Sequence, residues 1–572
     1  MLLLAVVVVA VPFERSGDAP EATANVDTST ASYIVQGRSS ESVAAIVRGV
    51  GGEITHELGV IRAVGAMLTP AQATVLRAHS DVQRLYGNGS IKVAAKPGQK
   101  AGTNANGVQE TNYPTVVRAN LLHSFGFDGT GVGIAVLDTG LWKHDGIRYD
   151  SAGNPRIDAV YDAISDQLAV NPALGDDPGG HGSHVASVAV SSLVTTDGKF
   201  NGVAPGAHVI SVQAFDEYGQ GSYADVIRAI DWVVANKATY NIRVLNLSFS
   251  AEPRSHYWDD PINQAVMVAW QQDIVVVAAA GNRGPAAMTI GVPGNVPYVI
   301  TVGAMTDNYS GDDQSDDFVA SFSSAGPTYE GFVKPEVVVP GGHMLGLMPS
   351  QSYLATAYPE FYAGDKYFQM SGTSQAAGVV SGVAALILQA HPGMTADDVK
   401  CTMMATARPA VVRSKGITSL AYSVFQQGAG LVDAQAATKT PTANCANQGL
   451  DIDADIAGTR HFGGRANQDE AGNFYVMGSD LSANDGYDWD SSYSSSNGYM
   501  WTDGYMWTDG YMWTDGYMWT DGAVNTDGYM WTDGYMWTDG YMWTDAYMWI
   551  DGYMWTDTLT EMASMSSWVD QE

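Results

Sequence analysis

A chain of 572 residues is too long for one core, because single domains rarely grow past about 250–300 residues, so several segments are expected. A hydrophobic fraction of 45% with 63 glycines describes ordinary globular material, while a net charge of −33 excludes a phosphate-binding basic surface and with it nucleic acid as the partner. Two cysteines, Cys401 and Cys445, exclude a small disulfide-stapled fold and offer no Cys/His cluster with zinc spacing.

Taken in chain order, Leu2 to Val11 is an unbroken apolar run. It suits the hydrophobic region of a signal peptide (residues 1–24) and is short for a membrane span of about 20 residues. The basic residues that usually precede such a run are missing, and a buried N-terminal strand is the alternative reading. A polar stretch, Ser16 to Ser32, follows as a linker.

Between 32 and 94 the pattern predicts strand, helix, strand, strand, helix, strand. The strands are Tyr33–Gln36, Glu53–Leu58, Ile61–Leu68 and Val82–Tyr86; the helices are Ser39–Val50 and Thr69–Ala78, the second started by Thr69 and Pro70. That order is a ferredoxin-like split βαβ domain. The Lys-, Gly- and Asn-rich residues 95–111 read as an exposed linker open to proteolytic nicking.

From 112 to 440 apolar strands alternate with helical patterns. The strands are Gly133–Leu137, His208–Val212, Val244–Leu247 and Ile274–Val277, with a helix over Ala224–Lys237 and a buried helix over Ala376–Ala390. The expectation is an α/β domain with a mostly parallel sheet and helices on both faces. Active residues then belong at the carboxyl ends of strands.

The remainder is different material. Residues 451–572 hold 22 acidic residues against 2 arginines, so most of the negative charge lies there. Residues 441–498 read as an acidic Gly/Ser/Asp-rich linker. Over 499–557 the hexapeptide Tyr-Met-Trp-Thr-Asp-Gly recurs with nine Tyr-Met-Trp cores, and 558–572 is a short tail. An extended strand would put Tyr, Trp and Asp on one face. Such a ladder suits carbohydrate, a cell surface or another copy of itself, and a low-complexity tail without fixed fold is equally open.

Three motifs carry chemistry. Asp138 closes an apolar strand and precedes the Thr139-Gly140 turn; His181 lies in Gly-His-Gly-Ser-His; Ser374 opens a helix in Ser-Gly-Thr-Ser-Gln-Ala. Singly they could be a turn cap, a metal ligand and a helix cap. Together, in the order Asp, His, Ser, they supply an activated nucleophile, its base and a group to fix that base.

These blocks resemble the subtilisin-like (subtilase) serine peptidases, whose chain order this is. The resemblance extends through Gly202–Ala207, Ala278–Asn282, Val302–Ala304, Phe322–Pro327 and Lys334–Gly341. It implies that Asp138 orients His181, that His181 deprotonates Ser374, and that Asn282 with the Ser374 amide holds the oxyanion. It also implies a groove walled by Ser248, Phe249 and Ser250 on one side and Ala279, Ala280 and Gly281 on the other. Relatives commonly carry glycine where this chain has Ser250. Gly291 matches the glycine at the base of the P1 side-chain pocket, which would leave that pocket open to large apolar side chains.

By the same resemblance, residues 32–94 are a propeptide that inhibits and assists folding, and the enzyme is a secreted zymogen that cleaves polypeptides without a cofactor. Structural Ca²⁺ is common among such peptidases. The loop after His184 shows no ligand pattern, and the acidic run Asp312, Asp313, Asp316 and Asp317 fits either a Ca²⁺ loop or a solvated charge run. Cys401 and Cys445 fit one bridge or two thiols equally. The rival from another class is a catalytically silent binding protein in which the peptidase fold is a scaffold for the repeat tail.

Overall fold

The computed structural model describes residues 29–94, 111–172, 175–195, 197–308, 316–364, 366–414, 417–469 and 472–477, together with the backbone of 487–488 and 563–566. The expected signal segment 1–24, nearly all of the 95–111 linker, the 499–557 repeats, and Asp312 and Asp313 lie outside them.

The N-terminal unit runs β1 (Ala31–Gly37), α1 (Ser40–Gly49), β2 (Glu53–Leu58), β3 (Ala63–Leu68), α2 (Pro70–Arg77), β4 (Val82–Gly87). Its sheet has the order β2-β3-β1-β4, with the pairs antiparallel. Both helices start on capping boxes, at Ser39 and at Thr69 followed by Pro70. Alternation along β1 serves two cores. Val35 packs with Val43, Val47, Leu68 and Leu76 beneath the helices, while Ile34, with Leu58 and Tyr86, joins the core of the larger unit.

The larger unit is built on a nine-stranded sheet. Its strands are β6 (Gly133–Asp138), β7 (Ile157–Asp162), β8 (Gln167–Leu168), β9 (His208–Gln213), β11 (Ile242–Leu247), β12 (Val275–Ala279), β13 (Ile300–Thr306), β14 (Phe318–Val319) and β15 (Val337–Pro340). The order is β14-β13-β12-β11-β6-β9-β7-β8, with β15 also on β13. All pairs are parallel except those made by the two-residue edge strands β8 and β14. Strands β6 and β12 are buried along their whole length, as parallel strands covered on both faces must be. The main helices are α3 (His181–Val190), α4 (Tyr223–Asn236), α5 (Pro261–Gln271), α6 (Thr373–Ala390) and α7 (Ala396–Thr406). Helix α6 is apolar and long enough to cross a membrane, yet 89% of it is buried inside the fold, so it is the core helix the sequence predicts.

The N-terminal unit seats on α4 and α5. Gln36 Nε2 donates to Gln264 Oε1 at 2.7 Å, His56 Nε2 meets Asp225 at 3.1 Å, and Arg84 pairs with Asp259. The Gly89 carbonyl and Asn88 Oδ1 accept from the Tyr223 and Ala224 amides, satisfying free N–H groups in the first turn of α4. Strand β5 (Ser90–Ala94) then adds antiparallel to β10 (Gln220–Ser222), opposing Lys92 to Gln220 and Ser90 to Ser222.

The expected linker from 441 requires correction. Cys445 is bonded to Cys401, which settles the open pairing. Beyond it, Asp455 accepts from the Tyr257 and Tyr298 hydroxyls at 2.6 and 3.1 Å and meets His461 Nδ1 at 2.7 Å. Phe462 is fully buried in the main core, and the Gly464 and Ala466 amides bond to the Glu330 and Gly331 carbonyls. The chain therefore packs on the larger unit at least through Met477. Leu450, Ile452, Ile456 and Phe462 are spaced too irregularly to read as an amphipathic element, and acidic composition hid a carboxylate that is buried with partners.

Candidate active site

Asp138 ends β6 where the sheet exposes its carboxyl edge, and its Oδ1 accepts the Thr139 amide at 2.8 Å. His181 is the first residue of α3. Helix α3 can approach this edge only because residue 182 lacks a side chain: a methyl there would lie 2.3 Å from the Gly140 carbonyl oxygen. The preceding Gly180 has φ 94°, a left-handed conformation that turns the chain into the helix. Across this contact His181 Nδ1 donates to Asp138 Oδ1 at 2.6 Å, with both side chains almost completely buried.

That pairing fixes the imidazole tautomer and orientation. Burial alone would lower the His181 pKa; the Asp138 charge and hydrogen bond, with the charge of Asp177 behind them, overcome it and hold the pKa above 6.5. His184, one turn on, is the opposite case. Burial and then the charge on His181 push it down to about 3, and its Nε2–H is given to the Phe368 and Met344 carbonyls. It is a neutral packing residue.

Ser374 is the second residue of α6. Its hydroxyl donates to the Ser248 carbonyl at 2.9 Å, and Ser248 Oγ donates back to the Ser374 carbonyl at 2.9 Å. His181 Nε2 is buried with no hydrogen-bond partner, so the expected Ser374–His181 bond is not made in this state. The hydroxyl has found a competing acceptor, and catalytic hydrogen bonds commonly tighten only when substrate binds.

Asn282 lies beside the nucleophile. Its Oδ1 accepts from both the Thr373 amide (2.9 Å) and the Thr373 hydroxyl (3.0 Å). An amide N–H can only donate, so the oxygen of Asn282 is the atom facing α6, and the NH₂ group is turned to the other side. Thr373 Oγ1 also accepts the Gly281 amide at 3.1 Å, tying this segment to the start of α6.

Two supporting groups escaped sequence reasoning. Buried Asp177 accepts from Thr139 Oγ1, the Gly180 amide, and the amide and hydroxyl of Ser183, all at 2.6–2.8 Å, bracing the turn into α3. Burial raises its pKa despite those donors. Asn246 receives Ser381 Oγ at 3.0 Å and donates to Ser248 Oγ at 2.8 Å, a buried polar chain that locks α6 to β11. Neither belongs to a catalytic motif, and only the fold brings Asp177 onto Thr139 and Asn246 onto Ser381.

The expected groove residues converge. Gly291 donates its amide to the Ala280 carbonyl at 3.1 Å, and Ala251 and Val292 exchange two backbone hydrogen bonds at 2.8 Å. Phe249 is buried against Phe215, ring centres 5.6 Å apart. The space directly over Gly291 is shared with Ser250. A methyl placed on Gly291 would lie 1.9 Å from Ser250 Oγ, so that hydroxyl stands over the glycine. Among the described residues no group of three or more His, Cys, Asp or Glu is placed to hold a metal, and Asp316 receives Asn308 Nδ2 at 3.1 Å.

A profile of the subtilase family (peptidase S8) matches residues 129–438. The serine protease AprX of Bacillus subtilis is 35% identical over 346 residues, 59% of this chain and 73% of that protein. Subtilisin DY of Bacillus licheniformis is 30% identical over 326 residues, 57% of this chain and 97% of that protein. In fold, the chain is similar to fervidolysin from Fervidobacterium pennivorans, a keratinolytic enzyme related to subtilisin, with a TM-score of 0.57 at 23% identity, covering 80% of this chain and 67% of that one.

Proposed function

Since the chain belongs to the subtilase family and is thereby a serine endopeptidase acting on polypeptides, we propose that Ser374 is its nucleophile, His181 its general base and acid, and Asp138 the group that fixes the base. Catalysis in this family needs no cofactor. The observation that carries the assignment is the buried 2.6 Å Asp138–His181 contact, with the far imidazole nitrogen left without a partner.

The steps follow from the groups. Rotation of Ser374 about its Cα–Cβ bond releases the Ser248 carbonyl and offers the hydroxyl to His181 Nε2. His181 takes that proton as Ser374 Oγ attacks the scissile carbonyl, and the resulting imidazolium is stabilised by Asp138. The oxyanion is met by Asn282 Nδ2–H and the Ser374 amide at the start of α6, where free N–H groups and the helix dipole favour negative charge. His181 then protonates the leaving amine, and water repeats the sequence on the acyl-enzyme.

We further propose that residues 32–94 are an inhibitory propeptide of a secreted zymogen. The seating of this unit on α4 and α5, and the addition of β5 as a strand antiparallel to β10, support that reading. The apolar Leu2–Val11 run supports secretion, and the aromatic-acidic repeats suit attachment to carbohydrate or a cell surface. The test is a pair of preparations. Wild type should hydrolyse casein and lose residues 32–94, whereas Ser374→Ala should do neither. Active wild-type protein that still begins before Tyr33 refutes the propeptide reading; casein hydrolysis that survives Ser374→Ala refutes the nucleophile.

A further inference from the structure

We propose that Ser250 is a specificity-determining residue: its hydroxyl fills the pocket for the side chain on the acyl side of the scissile bond, so that the enzyme cleaves after alanine, serine or glycine and rejects leucine and phenylalanine. The inference rests on the assignment of Ser374 as nucleophile.

The pocket must adjoin the nucleophile. Ser374 Oγ touches the Ser248 carbonyl at 2.9 Å, and two residues of chain reach at most about 7 Å, so Ser250 stands within that distance along the same wall. The opposite wall ends in Gly281 and the floor is Gly291, two residues whose missing side chains leave the space. Ser250 takes that space back. A methyl on Gly291 would meet Ser250 Oγ at 1.9 Å and one on Gly281 would meet it at 2.7 Å, so the hydroxyl lies between both glycines. Ser250 is only 6% exposed, and Ser324 Oγ, 2.9 Å from the same Gly281 position, adds a second hydroxyl to the floor.

The walls are not free to spread. Ala251 and Val292, the residues just after Ser250 and Gly291, exchange two backbone hydrogen bonds of 2.8 Å, and Gly291 is tied to Ala280 at 3.1 Å. A leucine or phenylalanine side chain would have to break this clamp or force Ser250 Oγ off its site. It would also bury hydroxyl groups against hydrocarbon, where each unpaired polar group carries a penalty. An alanine methyl needs neither.

The chain carries one candidate substrate of its own. Strand β5 runs past β10 to end at Val93-Ala94, and the sequence that follows is Ala95-Lys96. A pocket closed by Ser250 selects an alanine there, which puts self-processing after Ala94 or Ala95.

The experiment compares kcat/KM on a peptide series that differs only at P1 (Ala, Ser, Leu, Phe), using processed wild type, Ser250→Gly and Ser250→Ala. Wild type should favour Ala over Phe by at least about 10-fold, since one methylene of misfit in a pocket is worth 10- to 200-fold. Ser250→Gly should shift the Phe/Ala ratio upward by a similar factor, with Ser250→Ala between them should the glycine variant fold poorly. The amino terminus of mature wild type should be Ala95 or Lys96. Wild type that cleaves after Phe or Leu as well as after Ala, or a ratio unmoved in both variants, overturns the inference while casein hydrolysis still supports the nucleophile. A preparation with no Ser374-dependent cleavage of any peptide overturns both.

Discussion

Ending the chain at Thr440 should destroy the fold, whereas ending it at Asp490 should not. The shorter chain loses Cys445, and with it a bridge whose ends are 44 residues apart. Loop-closure entropy values such a link at about 4 kcal/mol. It also loses Phe462, fully buried, whose removal to alanine alone would cost about 3–5 kcal/mol. Asp455 goes too, leaving the Tyr257 and Tyr298 hydroxyls buried without their acceptor, at about 1–3 kcal/mol each. Domains are stable by only about 5–15 kcal/mol in total, so these losses are decisive. The chain ending at Asp490 keeps all of them and sheds the repeats. Thermal melts and hydrolysis of a small peptide decide the matter, with Phe462→Ala as a graded intermediate. A chain ending at Thr440 that melts cooperatively at the full-length temperature and cleaves at the full-length rate would refute the reasoning.

Asn282→Leu removes one oxyanion donor at similar volume, and kcat should fall about 10²- to 10³-fold with KM little changed, the range found when such a donor is taken from subtilisin; a loss confined to KM contradicts the role. Thr373→Val deletes the hydroxyl that holds Asn282 Oδ1 at 3.0 Å, so it should lower kcat in the same direction but by less, and should add almost nothing in an Asn282→Leu background. General-base action needs neutral His181, so kcat/KM should rise with pH through a midpoint above 6.5, because Asp138 and Asp177 outweigh burial in raising that pKa. The same raised pKa means that the Asp138–His181 pair stabilises the fold fully below pH 6.5 and progressively less as pH climbs past the folded-state value; a midpoint below 6.5 would contradict the electrostatics.

Much of the larger unit was legible because its strands are short, apolar and buried on both faces. Gly133–Leu137, His208–Val212 and Val244–Leu247 each fall inside an observed strand, and the helix over Ala224–Lys237 differs from α4 by one residue at either end. The Asp138–His181 contact was legible for another reason: both residues sit in local motifs whose glycines their close approach requires. What escaped depends on distance in sequence. Asp177 works through Thr139 and Ser183, and Asn246 through Ser381, pairings that no local pattern encodes. The packing of 441–477 escaped because its anchors are few and irregularly spaced. The position of Ser250 escaped because Gly291 alone predicts space, and only the fold shows Ser250 Oγ standing over it.

The central claim is that Ser374 is a nucleophile activated by His181. Processed wild type should be treated with a serine-reactive fluorophosphonate, digested, and read by mass spectrometry for the modified peptide. The claim predicts one label per chain on Ser374, lost in Ser374→Ala and strongly slowed in His181→Ala. No label on processed wild type, or label that persists in Ser374→Ala, would contradict it.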